Sequence, residues 1–143
     1  MRKPLSTRSH GFSLIELLVV LTILGLLATV VGPKVMNALG GGKIKAAEVQ
    51  IANLESAVER FYFDASRYPT TDEGLAALIE KPGTVDNWQG PYLKKRVIPK
   101  DPWKREYHYR FPSDHGAEFD IYSYGSDGAE GGEGESIDVN NWD

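Results

Sequence analysis

The chain has no cysteine among its 143 residues. That excludes a disulfide framework, a thiolate metal site and a cysteine nucleophile, and it leaves the redox compartment open. Histidine is nearly as scarce. His10, His108 and His115 stand at no metal-ligand spacing, and neither H-E-x-x-H nor G-x-S-x-G occurs. The carboxylates gather in a glycine-rich stretch rather than in a patterned cleft, so an enzyme is not expected. Positive charge also runs out: no Lys or Arg follows Arg110, whereas Glu118, Asp120, Asp127, Glu130, Glu133, Glu135, Asp138 and Asp143 do. With a net charge of −4, this acidic end argues against a nucleic-acid partner and for either a solvated tail or a cation site. The length suits one small domain plus one extra element.

What the chain has in abundance lies near its start. Phe12 to Val31 reads FSLIELLVVLTILGLLATVV with a single charge, and about 20 apolar residues are what a helix needs to cross a bilayer. A short leader with Arg2, Lys3 and Arg8 precedes it, which raises the possibility of a secretory signal peptide. The run is too long for one, and Ala28-Thr29-Val30-Val31-Gly32-Pro33 offers no small-x-small cleavage site.

Glu16 is the exception within the run. A carboxylate in hydrocarbon costs about 2.5–3.5 kcal/mol on insertion scales. Two readings stand: a charge near the membrane edge that reaches the headgroups, or a carboxylate that awaits a cation. The apolar run holds no such cation. A cut between Gly11 and Phe12 would create one, because the new amine lies four residues, or about 6 Å of helix rise, from Glu16. A neighbouring copy shifted by about that rise would set amine against carboxylate and so select one register. Pro33, just past the run, is either the end of the span or a point where a continuing helix loses a hydrogen bond.

Gly11-Phe12-Ser13-Leu14-Ile15-Glu16, with the basic leader before it and the apolar run after it, resembles the processing motif of type IV pilins and type II secretion pseudopilins. The resemblance implies that a prepilin peptidase cuts after Gly11 and that Phe12 becomes the methylated N-terminus. It also implies that Glu16 guides assembly and that Pro33 marks a stretch that loosens on assembly.

Beyond the run, Ile44, Ala47, Ile51, Leu54, Val58, Phe61 and Ala65 recur in steps of three and four, one stripe along a helix that continues to about residue 65. Gly40-Gly41-Gly42 before it suggests a flexible joint. Thr70 and Glu73 form a capping box for a short helix with Leu75, Leu78 and Ile79 buried, ended by Pro82 and Gly83. Trp88 to Trp103 reads as loop, with Trp88, Tyr92 and Trp103 clamping it to the core. Tyr107-His108-Tyr109-Arg110-Phe111 and Phe119 to Tyr124 alternate across a Pro-Ser-Asp-His-Gly link, an antiparallel hairpin over 107–124. The fold expected is α+β: a long N-terminal helix, half transmembrane and half amphipathic, packed on a small antiparallel sheet. The segments are a leader over 1–11, a transmembrane and assembly helix over 12–33, and a domain over 34–143 that ends in an acidic loop over 125–143.

That loop carries oxygen ligands and turn glycines without EF-hand spacing, so on its residues alone a solvated loop and a calcium site both stand. Arg67-Tyr68-Pro69-Thr70-Thr71 with Gly74-Leu75, Gly90-Pro91-Tyr92-Leu93, Pro99-Lys100-Asp101-Pro102-Trp103, Tyr122-Ser123-Tyr124-Gly125 with Asp127-Gly128, and Asn141-Trp142 narrow the resemblance to the major pseudopilins. A type IV pilus subunit and a minor pseudopilin are the alternatives. The resemblance implies a structural calcium held by side chains of Asp127 and Asp138 and by carbonyls of Tyr124 and Ala129. Ser136 stands where relatives often have an acid, so the Ser136 hydroxyl, Glu135 or a water is the expected donor at that place. It further implies a single-pass inner-membrane protein with its C-terminal domain in the periplasm. Such a protein sits in lipid first and then polymerises with itself and with minor pseudopilins. Its other implied partners are an inner-membrane platform with a cytoplasmic ATPase and an outer-membrane secretin.

Overall fold

The computed structural model describes residues 11–143. The expected leader therefore lies, but for Gly11, outside the described residues. Element order is α1 (Leu14–Ala65), a 3₁₀ helix (Gly74–Leu78), β1 (His108–Arg110), β2 (Asp120–Ser123), a second 3₁₀ helix (Gly134–Ser136) and β3 (Val139–Asn140). Two compact units share α1, one ending at Met36 and the other spanning Asn37–Asp143.

In the first unit every residue from Gly11 to Val31 is exposed, so its apolar surface has no partner among the described residues. The helix continues through Pro33. Proline has no N–H to give the carbonyl four residues back, so Thr29 loses that backbone bond. Thr29 Oγ1 meanwhile donates to the Leu26 carbonyl at 2.7 Å.

In the second unit α1 buries the expected stripe: Ala47, Ile51, Leu54, Val58 and Phe61 are each at most 2 % exposed, and Ala57 joins them. Burying side chains such as Leu54 and Phe61 is worth about 1.5–3 kcal/mol each. The helix stops where Ser66 turns left-handed at φ 56° and its N–H closes on the Tyr62 carbonyl at 2.7 Å, with Pro69 soon after.

No joint interrupts α1 at Gly40-Gly41-Gly42. Gly40 is buried, and a Cβ there would lie 2.2 Å from Glu135 Cγ. The missing side chain makes room for the C-terminal loop to lie against the helix, a need that propensity alone does not reveal.

Thr70 and Glu73 make the expected reciprocal bonds, Thr70 N–H to Glu73 Oε2 at 2.8 Å and Glu73 N–H to Thr70 Oγ1 at 3.2 Å. The element that follows is 3₁₀ and only five residues long, with Leu75, Ala77 and Leu78 buried and Ile79 half-buried. The loop over 88–103 is clamped as expected at two points. Trp88 Nε1 donates to the Ala77 carbonyl at 2.9 Å, and the Tyr92 hydroxyl donates to Asp64 at 2.8 Å. Trp103 packs on the core, but its buried Nε1 has no acceptor.

The hairpin forms in the register His108↔Tyr122, Tyr109↔Ile121 and Arg110↔Asp120. A third strand, unanticipated, pairs antiparallel with β2 through Tyr122↔Asn140 and Ser123↔Val139, so β2 is central in the order β1-β2-β3. Two residues are too few to show a period, which is why β3 was hidden inside the acidic loop. Its Val139 is 5 % exposed and packs with Ile121 and Phe119 in the core that α1 covers.

Candidate functional site

At the start of α1, Ser13 N–H donates to Glu16 Oε2 at 2.9 Å and Glu16 N–H donates to Ser13 Oγ at 3.2 Å. This is a reciprocal capping box, which satisfies two amides that a helix start otherwise leaves open. Glu16 therefore has a partner inside its own chain, a backbone amide rather than a cation. The pattern Ser13-x-x-Glu16 is that of a capping box and is legible in the sequence, though a lone charge in an apolar run points first to an external cation. Phe12 precedes the box and is 84 % exposed. Gly11 and Phe12 lie outside α1, which begins at Leu14.

The acidic loop folds back on itself through small polar bonds. Asp127 Oδ1 accepts from the Ala129 N–H at 3.1 Å, and the Tyr124 carbonyl accepts from the Gly128 N–H at 3.2 Å. Asp138 Oδ2 accepts from the Gly131 N–H at 2.8 Å, while Ser136 Oγ lies 3.0 Å from Ser126 Oγ. Asp138 and Tyr124 line one cleft of about 500 Å³ together with Tyr122, Trp142, Glu130 and Arg110; Asp127, Ala129 and Ser136 do not line it. Among the described residues no cluster of three or more His, Cys, Asp or Glu side chains is gathered to hold a metal. One atom does ask for a partner. Asp138 Oδ1 is buried with no hydrogen-bond partner among the described residues, and such an orphaned carboxylate oxygen is a donor that a hard cation would satisfy.

Beneath the loop lie two buried carboxylates that are structural. Asp101, 4 % exposed, accepts from the N–H groups of Trp103 at 3.0 Å and Arg105 at 2.8 Å, and from the Ser123 hydroxyl. Asp120, fully buried, accepts from the Ser113 hydroxyl, the Asp114 N–H and His115 Nδ1. Burial pushes its pKa up, but the bonds from Ser113 and His115 outweigh that and hold it below the usual carboxylate range. The His115 ring stacks on Trp142 with centroids 3.8 Å apart, which ties the C-terminus to the hairpin. Arg105 was also missed: its Nη1 donates to the Gly125 carbonyl at 2.6 Å, a contact across 20 residues that no local pattern announces.

A helix with an exposed apolar first half, a capped glutamate in its opening turn and a small sheet packed on its second half define a pilin-like protein. Residues 6–32 accordingly match the family profile described as the prokaryotic N-terminal methylation motif. Residues 34–142 match the profile described as type II secretion system (T2SS), protein G, and the chain belongs to that family. Among its relatives are the type II secretion system core protein G of Vibrio cholerae, 42 % identical over 94 % of this chain and 92 % of the other. That of Pseudomonas aeruginosa is 42 % identical over 95 % and 96 %. The crystal structure of the major pseudopilin from the type 2 secretion system of enterohaemorrhagic Escherichia coli superposes with a TM-score of 0.63 at 31 % identity, covering 75 % of this chain and 92 % of the other. The alternatives of a type IV pilus subunit and a minor pseudopilin give way to this membership.

Proposed function

We propose that the chain is a structural subunit, not a catalyst, that waits in the bacterial inner membrane and polymerises into a periplasmic pseudopilus. Growth of that filament would drive folded proteins out through an outer-membrane secretin. The observation that carries this is the first half of α1, apolar and exposed from Phe12 to Val31. Such a surface is stable only in lipid or against other copies of itself. A prepilin peptidase cuts after Gly11 and Phe12 carries the methylated amine, in keeping with the methylation-motif match over 6–32. In the filament the amine of one copy meets Glu16 of the next and replaces a bond that the Ser13 amide makes in the free chain. Matched charge in an apolar bundle selects the register, because an unmatched one is costly. Pro33, already short of one backbone bond, is where α1 loosens on assembly.

The domain beyond Met36 stays in the periplasm, and minor pseudopilins, an inner-membrane platform and its cytoplasmic ATPase complete the assembly. Asp127 and Asp138, with the Tyr124 and Ala129 carbonyls and the Ser136 hydroxyl, are the oxygen donors for a calcium ion that offsets the repulsion among the loop's carboxylates. Support comes from the orphaned Asp138 Oδ1.

The test is complementation of a secretion strain that lacks its own major subunit. The wild-type chain restores export of the strain's exoproteins, and the Glu16→Ala variant, cleaved normally, does not. Full export by that variant would remove the register role.

A further inference from the structure

The acidic loop carries no Lys or Arg of its own, yet a guanidinium sits against it. Arg105 Nη1 donates to the Gly125 carbonyl at 2.6 Å. Gly128, at φ 72°, passes so close over the same side chain that a Cβ would lie 2.8 Å from Arg105 Nε and 2.9 Å from its Cζ. These are two separate contacts, one polar and one steric, at Gly125 and Gly128 of the turn that begins the loop.

The arginine is also held from below. Asp101 Oδ1 accepts the Arg105 N–H at 2.8 Å, and the Asp101 carbonyl accepts the Lys104 N–H at 2.9 Å with Lys104 left-handed at φ 70°. Asp101 is itself bonded to the Ser123 hydroxyl on the central strand. The turn over 101–105 thus aims one cation at a loop bearing Asp127, Glu130, Glu133, Glu135 and Asp138.

We propose that Arg105 is a positioning residue that orders the acidic loop before any metal binds it. Its guanidinium fixes the Gly125 carbonyl, fills the space that Gly128 leaves, and lowers the repulsion among the loop's carboxylates. A charge-assisted bond to a carbonyl is stronger than a neutral one, and here it acts on a segment with few other anchors. The inference deepens the calcium reading, since the loop it orders is the one proposed to take the ion, but it is judged without calcium.

The experiment is amide hydrogen exchange on the full chain in detergent micelles with chelator present. The reporters are the Ser126, Gly128 and Gly131 amides, which bond to the Glu135 carbonyl, the Tyr124 carbonyl and Asp138. Arg105→Ala is expected to exchange about fivefold faster at these amides, about 1 kcal/mol at 1.4 kcal/mol per tenfold, with core amides on α1 unchanged. Gly128→Ala should also speed exchange with the arginine intact, since its Cβ meets the guanidinium and its φ of 72° strains an alanine, so the assignment to Arg105 rests on the Arg105 variants. Arg105→Lys keeps the charge without the planar fork and should recover only part of the protection. Unchanged loop exchange in Arg105→Ala, or acceleration spread equally over the core, overturns the proposal. Adding calcium is a separate arm: if it fails to slow loop exchange in the wild-type chain, the calcium reading falls while the arginine result in chelator stands on its own.

Discussion

Replacing Glu73 by Gln should lower the stability of the domain, and the loss should depend on pH. Glu73 takes both guanidinium nitrogens of Arg67 at 2.7 Å, the Thr70 N–H at 2.8 Å and the Thr84 hydroxyl at 2.7 Å. It therefore pins the end of α1, the 3₁₀ helix and the Thr84 turn to one another. Hydrogen bonds to charged groups are worth about 1.5–3 kcal/mol when sheltered, and exposed pairs about 0–1 kcal/mol. Side chains 33 % exposed for Arg67 and 16 % for Glu73 place this pair between those limits, at about 1–2 kcal/mol. For a domain of roughly this size each kcal/mol moves the melting point by about 4–8 °C, so a fall of about 4–16 °C is expected near neutral pH.

The bond to Arg67, aided by Thr84 and the Thr70 amide against the opposing effect of burial, depresses the Glu73 pKa from 4.5 to about 2. A depressed carboxylate contributes fully above its unfolded value and loses that contribution as pH falls through its folded value. The wild-type chain should therefore lose this stability between pH 4.5 and about 2, and the Gln variant should lack that part of the decline. Tryptophan fluorescence melts of the full chain in detergent, run across that window, measure both. Equal melting points near neutrality, or parallel acid declines, would show that Glu73 does not stabilise the domain through this pair.

Other changes test separate links. Gly11→Leu should leave uncut precursor in the membrane, visible as a slower band on a denaturing gel, since nothing larger than glycine is expected at the cut. Ile121→Ala removes a side chain with no exposure at the centre of the sheet and should cost about 2–5 kcal/mol, read by denaturant titration. Chelation should lower the melting temperature if calcium neutralises the loop around Asp138, and readdition should restore it; superimposable curves would remove the ion from the account.

How much the sequence disclosed varied with the length of its patterns. The stripe from Ile44 to Ala65 spans six turns, and it predicted both the end of α1 and its buried face. Alternation on both sides of Pro112 to Gly116 gave the hairpin and its partners. Short or non-local features were not legible. Val139-Asn140 is too brief to alternate, and Gly40 resembles a helix breaker until Glu135 lies across it. For the site, Gly11, Phe12 and Glu16 announce themselves as one contiguous motif. Asp127 and Asp138 are visible only as members of an acidic run, and the unbonded Oδ1 that distinguishes Asp138 depends on packing. The arrival of Arg105 at Gly125 depends on the turn at Asp101 and is a property of the fold alone.

The central claim is that Glu16 selects the register in which copies assemble. Electron microscopy of filaments from cells producing the chain with its peptidase and platform, beside a gel that reports cleavage, tests it most directly. The wild-type chain should give abundant filaments, and a Glu16→Ala chain that is cleaved to the same extent should give none. Filaments of equal number and length from that cleaved variant would contradict it.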